Sequence, residues 1–266
     1  MCNTCGCNDH ENLISIGHPA NFSPHQSKGA ISLAPSSISN DIRIAQDVLG
    51  SNDLIASKTR AFLQEKGILS LNMVGSPGSG KTSLIVKTIE ALASEMAIYV
   101  IEGDQYGSLD ADKISATGTP VLQINTGNGC HLDAESVSRA IQTLVPASHS
   151  LLIIENVGNL VCPALFDLGE HKRVVIFSVT EGDDKPVKYA PMFHGSAVCL
   201  ISKTDLLNYV DFNLKLASDN LKKINHHIQT IPLSASSGEG LNDWFEMIRR
   251  ELNLLKSQKR DTHPAQ

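Results

Sequence analysis

The stretch Gly75-Ser76-Pro77-Gly78-Ser79-Gly80-Lys81-Thr82 constrains this chain more than any other. It follows an apolar run, Ile68 to Val74, and precedes a helical pattern. G-x-x-x-x-G-K-T between a strand and a helix has the form of a phosphate-binding loop. Its glycines let backbone N–H groups turn toward a phosphate, and the next helix presents its positive end. Gly75, Ser76, Gly78, Ser79, Gly80, Lys81, Thr82 and the adjacent Ser83 are therefore the expected nucleotide-binding residues. Lys81 would reach the β- and γ-phosphates, and the Thr82 hydroxyl would bind Mg²⁺. The alternative is a chance Gly/Ser turn, which the strand before and the helix after argue against.

The rest of the chain supplies the fold that such a loop needs. Apolar runs at 68–74, 97–102, 120–125, 150–155, 173–179, 197–201 and 228–232 are expected strands. Helical patterns at 81–95, 132–144, 211–225 and 239–255, with a short helix within 105–117, alternate with them. Strands that are apolar throughout are buried on both faces, so the expectation is a mostly parallel P-loop NTPase sheet flanked by helices, an α/β fold. With 41% hydrophobic residues, the 266-residue chain can fill such a core. The expected division is a flexible arm at 1–37, helices at 38–67, a nucleotide-binding domain at 68–256 and a disordered tail at 257–266. Gly50-Ser51-Asn52 is expected to split the 38–67 segment in two.

Acidic residues at strand ends are the next candidates, because ligands sit at the carboxyl ends of strands in open α/β sheets. Asp104 and Glu155 each end a strand and are expected to hold Mg²⁺ directly or through water, with Asp110 a third candidate. Ser202-Lys203-Thr204-Asp205 follows strand 197–201 and has the form of the N/T-K-x-D base-recognition motif, with Ser in first place. The Asp205 carboxylate can accept two hydrogen bonds from guanine N1–H and the 2-amino group, a donor pair that adenine lacks. Lys203 can lie along the base, and Ser234-Ala235-Ser236 resembles a loop that reaches guanine O6 through backbone N–H groups. The order of these motifs points to GTP rather than ATP.

Six cysteines fall in an uneven pattern, three of them at Cys2, Cys5 and Cys7. Three thiols within six residues can wrap one ion at little loop-closure cost. An N-terminal amine, if Met1 is removed, would complete a planar site suited to Ni²⁺ over tetrahedral Zn²⁺. His10, His18 and His25 are too scattered for a metal-storage tract. Cys130-His131 and Cys162-Pro163 suggest a second site for Ni²⁺ or Zn²⁺, with two buried thiols and a capping histidine as the alternative. Cys199 lies in an apolar strand and is expected in the core.

A net charge of −6 gives no electrostatic footprint for nucleic acid. No apolar run reaches membrane-spanning length, and no basic-then-apolar leader opens the chain, so a cytoplasmic location is expected.

Taken together, these motifs resemble the HypB/UreG family of SIMIBI-class P-loop GTPases. The resemblance is carried by Cys2-x-x-Cys5-Gly6-Cys7, Gly75–Thr82, Glu102-Gly103-Asp104 and Gly129-Cys130-His131-Leu132-Asp133. It extends through Glu155-Asn156-Val157-Gly158-Asn159-Leu160-Val161-Cys162-Pro163, Glu181-Gly182-Asp183-Asp184-Lys185-Pro186 and Ser202–Asp205. Urease members carry Cys-Pro-His, whereas this chain has Cys-His and a separate Cys-Pro, which resembles the hydrogenase branch. The resemblance implies a slow GTPase that binds GTP/GDP, Mg²⁺, Ni²⁺ and Zn²⁺ and helps insert nickel into [NiFe]-hydrogenase. Lys81, Asp104 and Glu155 would be its catalytic residues. It implies a homodimer when GTP is bound, with Cys130, His131 and Cys162 at the interface and Cys2, Cys5 and Cys7 as a high-affinity nickel site. HypA and the hydrogenase large-subunit precursor would be partners, with SlyD a further candidate. Ser202 departs from the family's Asn or Thr. Two other readings are a urease-type maturation GTPase and a metal carrier for which nucleotide is only a structural switch.

Overall fold

The computed structural model describes residues 35–105 and 107–262, with side chains from 47 to 257. The expected site at Cys2, Cys5 and Cys7 lies outside the described residues. Seven strands form one sheet: β1 (Leu69–Gly75), β2 (Ile98–Asp104), β3 (Val121–Asn125), β4 (Leu151–Glu155), β5 (Lys172–Ser178), β6 (Val198–Ser202) and β7 (Gln229–Pro232). Their order is β3-β2-β4-β1-β5-β6-β7, and every pairing is parallel. Parallel neighbours need crossovers. These include α2 (Lys81–Leu92), α3 (Leu109–Ser115), α4 (Ala134–Leu144), α5 (Lys185–Lys188), α6 (Ala190–His194) and α7 (Leu214–Ile224).

The pleat sends alternate residues to opposite faces. Leu69, Leu71 and Met73 of β1 pack on one face with Leu84 and Ile85 of α2. Trp244 of the last helix, α8 (Leu241–Thr262), joins that core, and its indole N–H donates to Thr88 Oγ1 at 2.9 Å. On the other face α4 brings Val137 and Ile141 over Ile101 and Ile154. Farther along it, Met192, Phe193 and Leu221 cover Phe177 and Ile201.

Four helices differ most from the sequence expectation. The helix before the sheet, α1, runs unbroken from Pro35 to Lys66. Gly50 weakens a helix by about 1 kcal/mol relative to Ala, too little to break one that is packed. Asn52, a residue type that caps helices, is used elsewhere: its Nδ2 donates to Asp167 O at 2.8 Å, and its Oδ1 accepts from Ala134 N at 2.9 Å. That anchors α1 on α4. At the other end, α8 continues through Thr262 rather than stopping near 255. Its last turns are Lys, Ser, Gln, Arg and Asp with no glycine or proline, and the first breaker is Pro264. Helices α5 and α6 have no counterpart in the expected elements, because Pro186 and Pro191 at their starts resemble loop punctuation. Among the described residues no helix is long and apolar enough to cross a membrane.

Candidate functional site

The loop between β1 and α2 holds its shape through glycine. A Cβ on Gly75 would lie 2.4 Å from Ile176 O, and Gly80 has φ 100°. Lys81 is buried, and its Nζ donates to the Gly75 and Ser76 carbonyls at 3.3 Å each. Burial lowers its pKa, opposed chiefly by Glu155. The loop opens on a cavity of about 540 Å³ whose lining includes Gly78, Thr82, Asp104, Asp110, Glu155 and Lys203. Ser83 also lines it. The phosphate loop, the strand-end carboxylates and the base-recognition lysine thus share one cavity.

Thr82 Oγ1 donates to Glu155 Oε1 at 2.8 Å. Glu155 is 3% exposed, and burial lifts its pKa to about 7 against the pull of Lys81. Glu102, on β2 directly beside Glu155 of β4, is equally buried and is raised to about 8 by burial and then by Glu155. Glu102 Oε2 and Glu155 Oε2 have no hydrogen-bond partner among the described residues. Two such carboxyls beside a threonine hydroxyl form an all-oxygen donor set, which fits Mg²⁺. Asp104 faces the cavity, while its carboxylate accepts from Gln105 N at 2.7 Å and Gly107 N at 3.0 Å. Asp110 pairs with Lys113 at 2.8 Å. Glu102 is the residue that sequence reasoning passed over. Its signal was a second acid two residues before Asp104, at the end of an otherwise apolar strand.

At the base-recognition end, Asp205 Oδ1 accepts from Ser234 Oγ at 2.5 Å, so the two predicted motifs are in contact. Ser234 Oγ also accepts from Ser236 N and Ser237 N, which shapes the loop carrying Ala235. Lys203 has a left-handed φ of 60° between β6 and the next turn. Ser202, the departure from the usual motif, donates to Ser79 O at 2.6 Å. Its hydroxyl ties base recognition to the phosphate loop.

Cys130, His131 and Cys162 come together, with one donor atom from each lying within 4.8 Å of the others. Cys130 Sγ stands 3.6 Å from His131 Nδ1. The helix starts two residues later than expected, so Leu132 and Asp133 join Cys130 and His131 ahead of it. Helix α4 begins at Ala134 with Asp133 as its cap, accepting from Ser136 N at 2.7 Å. A loop frees Cys130 and His131 from the helical geometry that would separate neighbouring side chains. The His131 ring stacks on Phe166 at 3.9 Å, and burial lowers its pKa. That favours the neutral imidazole a metal requires. Cys162 opens a one-turn 3-10 helix and is buried. Thiolates and an imidazole form a donor set suited to nickel or zinc. Cys199 is fully buried in β6, as expected of a core thiol.

The segment joining Glu155 to Cys162 touches both sites. A Cβ on Gly158 would meet Pro77 of the phosphate loop at 2.9 Å. Asn159 pairs by an isolated bridge with Gly75, and its Nδ2 donates to Cys130 O at 3.3 Å.

Residues 69–232 match the CobW/HypB/UreG nucleotide-binding domain. The chain is 44% identical to hydrogenase maturation factor HypB of Azotobacter vinelandii, covering 94% of this chain and 92% of that one. It is 45% identical to its counterpart in Escherichia coli (strain K12), covering 82% and 73%. Among solved structures, HypB from Helicobacter pylori in complex with nickel superposes with a TM-score of 0.72 at 32% identity, covering 76% of this chain and 95% of that one.

Proposed function

Since this chain belongs to the HypB family of hydrogenase maturation GTPases, we propose that GTP binding and hydrolysis time the capture and release of nickel at Cys130, His131 and Cys162. The observation that carries this reading is the Glu155–Cys162 segment, which leaves the nucleotide cavity, touches the phosphate loop and ends in a metal-ligating thiol.

Each residue has a role in this reading. Loop amides from Gly75 to Thr82 and the helix end behind them receive the phosphates. Lys81 stabilises charge on the transferring phosphoryl group. Thr82, Asp104 and Glu155, with Glu102 beside them, are the residues that would hold Mg²⁺, which when bound supplies further charge neutralisation there. Asp205, with Lys203 and the Ser234–Ala235 loop, selects guanine. Nickel is the cargo, and zinc competes for the same soft donors. Cys2, Cys5 and Cys7 form a second, high-affinity nickel site. The GTP-bound protein is a homodimer in the cytoplasm. It serves the large-subunit precursor of [NiFe]-hydrogenase, with HypA and SlyD as helper proteins.

Titrating nickel into protein loaded with GDP or with a non-hydrolysable GTP analogue tests the coupling. The expected result is a difference in affinity at the Cys130 site of about 5- to 150-fold, the usual span of coupling between sites. Equal affinities and stoichiometries would overturn it. Lys81→Ala tests the switch-only carrier. It should lower phosphate release about a hundredfold or more, and hydrogenase maturation should fall with it. Maturation that survives would favour the carrier. The urease reading draws on a 33% identical relative from Helicobacter pylori named as a hydrogenase/urease maturation factor. Deleting the gene and assaying both enzymes separates the two.

A further inference from the structure

Strand β1 turns Leu69, Leu71 and Met73 into the apolar core, but its opposite face carries Ser70 and Asn72, both fully buried. Asn72 Nδ2 donates to Glu170 Oε1 at 3.1 Å, and Asn72 Oδ1 accepts from Asn156 Nδ2 at 3.3 Å. Glu170 also accepts from Leu168 N at 2.9 Å and from Arg173 Nε at 3.2 Å. The other guanidinium nitrogens of Arg173 donate to Ala164 O at 3.2 Å and Phe166 O at 2.9 Å. At the far end, Asn156 Oδ1 accepts from Leu132 N at 3.2 Å.

The ends of this chain of bonds are all next to functional atoms. Asn156 follows Glu155 directly, and Leu132 follows His131. Ala164 and Phe166 lie just beyond Cys162, and the Phe166 ring stacks on His131. Asn72 sits on the strand that ends in Gly75 of the phosphate loop. Stability alone does not call for such an arrangement, because well-packed apolar side chains often replace buried ion pairs at no loss. What the chain of bonds does is fix backbone on both sides of the metal-ligating trio and join it to the nucleotide cavity.

We propose that Asn72, Glu170 and Arg173 are positioning residues which, through Asn156, set the spacing of Cys162 from His131 according to the state of the nucleotide cavity. This rests on the coupling of nucleotide state to nickel affinity argued above. The direct segment 155–162 moves the thiol, and the buried clamp holds the far side of the same loop, so that movement becomes a change in spacing rather than a shift of the whole loop.

The test uses the full chain with Cys2, Cys5 and Cys7 replaced by Ala, so that nickel titration reports the Cys130 site. Affinity is measured with GDP and with a GTP analogue in this background and in Asn72→Ala, Glu170→Gln, Arg173→Lys and the double variant Asn72→Ala/Glu170→Gln. The exposed Lys87→Ala serves as control. The ratio of the two affinities should fall toward one in Asn72→Ala and Glu170→Gln, with guanine-nucleotide affinity within about twofold. It should fall part-way in Arg173→Lys, which keeps the charge opposite Glu170. The double variant should be no worse than either single one, because members of one relay are not additive. Lys87→Ala should keep the parent ratio. If Asn72→Ala does not fold, Glu170→Gln and Arg173→Lys carry the test. A parent protein with no ratio to lose overturns the coupling itself. A parent ratio that survives in the variants overturns only the clamp.

Discussion

At the scale of single residues, the base-recognition carboxylate and a half-buried histidine make separable demands. Asp205 accepts from Ser234 Oγ at Oδ1, which fixes the carboxylate in one orientation. Asp205→Asn replaces an acceptor with a donor opposite guanine N1–H. Discrimination between GTP and ATP should fall about a hundredfold or more, because a site built to bond a specific group rejects its analogue strongly. Competition binding with the two nucleotides measures it. His171 makes a different demand. Its Nδ1 accepts from Ser70 N at 3.3 Å and lies 2.9 Å from Ser70 Oγ, which fits the neutral ring. Burial, followed by Arg60 and Lys172, depresses its pKa to about 4 from 6.5. A folded pKa below the unfolded one means that the unfolded chain binds the extra proton. The stabilisation is therefore complete above about pH 6.5 and is lost as pH falls toward 4. Urea midpoints taken at steps between these values should drop more for the parent than for His171→Asn, which keeps an acceptor but cannot titrate.

At the scale of elements, α1 shows how tertiary contacts override a local signal. Gly50, Ser51 and Asn52 together spell a helix break, yet the helix continues, because Asn52 satisfies α4 and the 167 loop instead of its own backbone. Gly50 is exposed, and a Cβ added there meets nothing within 4 Å. Gly50→Ala should therefore stabilise the protein by about 0.5–1 kcal/mol. The check is a higher denaturant midpoint with an unchanged m-value. The phosphate loop, the Asp205 motif and the Cys–His pair were legible in the sequence because each is a short run whose chemistry is local. The clamp was not. Asn72 and Glu170 are 98 residues apart, and Asn52 and Asp167 are 115 apart. No periodicity marks a polar residue in a buried strand as the partner of another so distant. Cys162 stood between these cases: its residue type was visible, but only folding placed it beside Cys130 and His131.

At the scale of the whole molecule, both sites lie beyond the carboxyl ends of the strands, on one edge of an all-parallel sheet. Val161 and Leu165, flanking Cys162, are both more than half exposed. An apolar rim around a half-buried metal donor set suits a surface that another copy covers. Light scattering at matched protein concentration should show a monomer with GDP and a dimer with the GTP analogue and Mg²⁺. Val161→Asp should return the analogue-loaded protein to a monomer.

The strand order has a further consequence, for a chain emerging from the ribosome. Strand β1 is made first, but its neighbours are β4 and β5. One edge of the phosphate-loop strand therefore stays uncovered until Glu155 is synthesised, and the other until Ser178. Until that happens Cys130 and Cys162 belong to unjoined parts of the nascent chain, and non-local pairing of this kind is slow to form. Cys130, His131 and Cys162 cannot grip nickel together in a half-made protein. Newly synthesised copies thus bring Cys130, His131 and Cys162 together only after β2, β3 and β4 have paired.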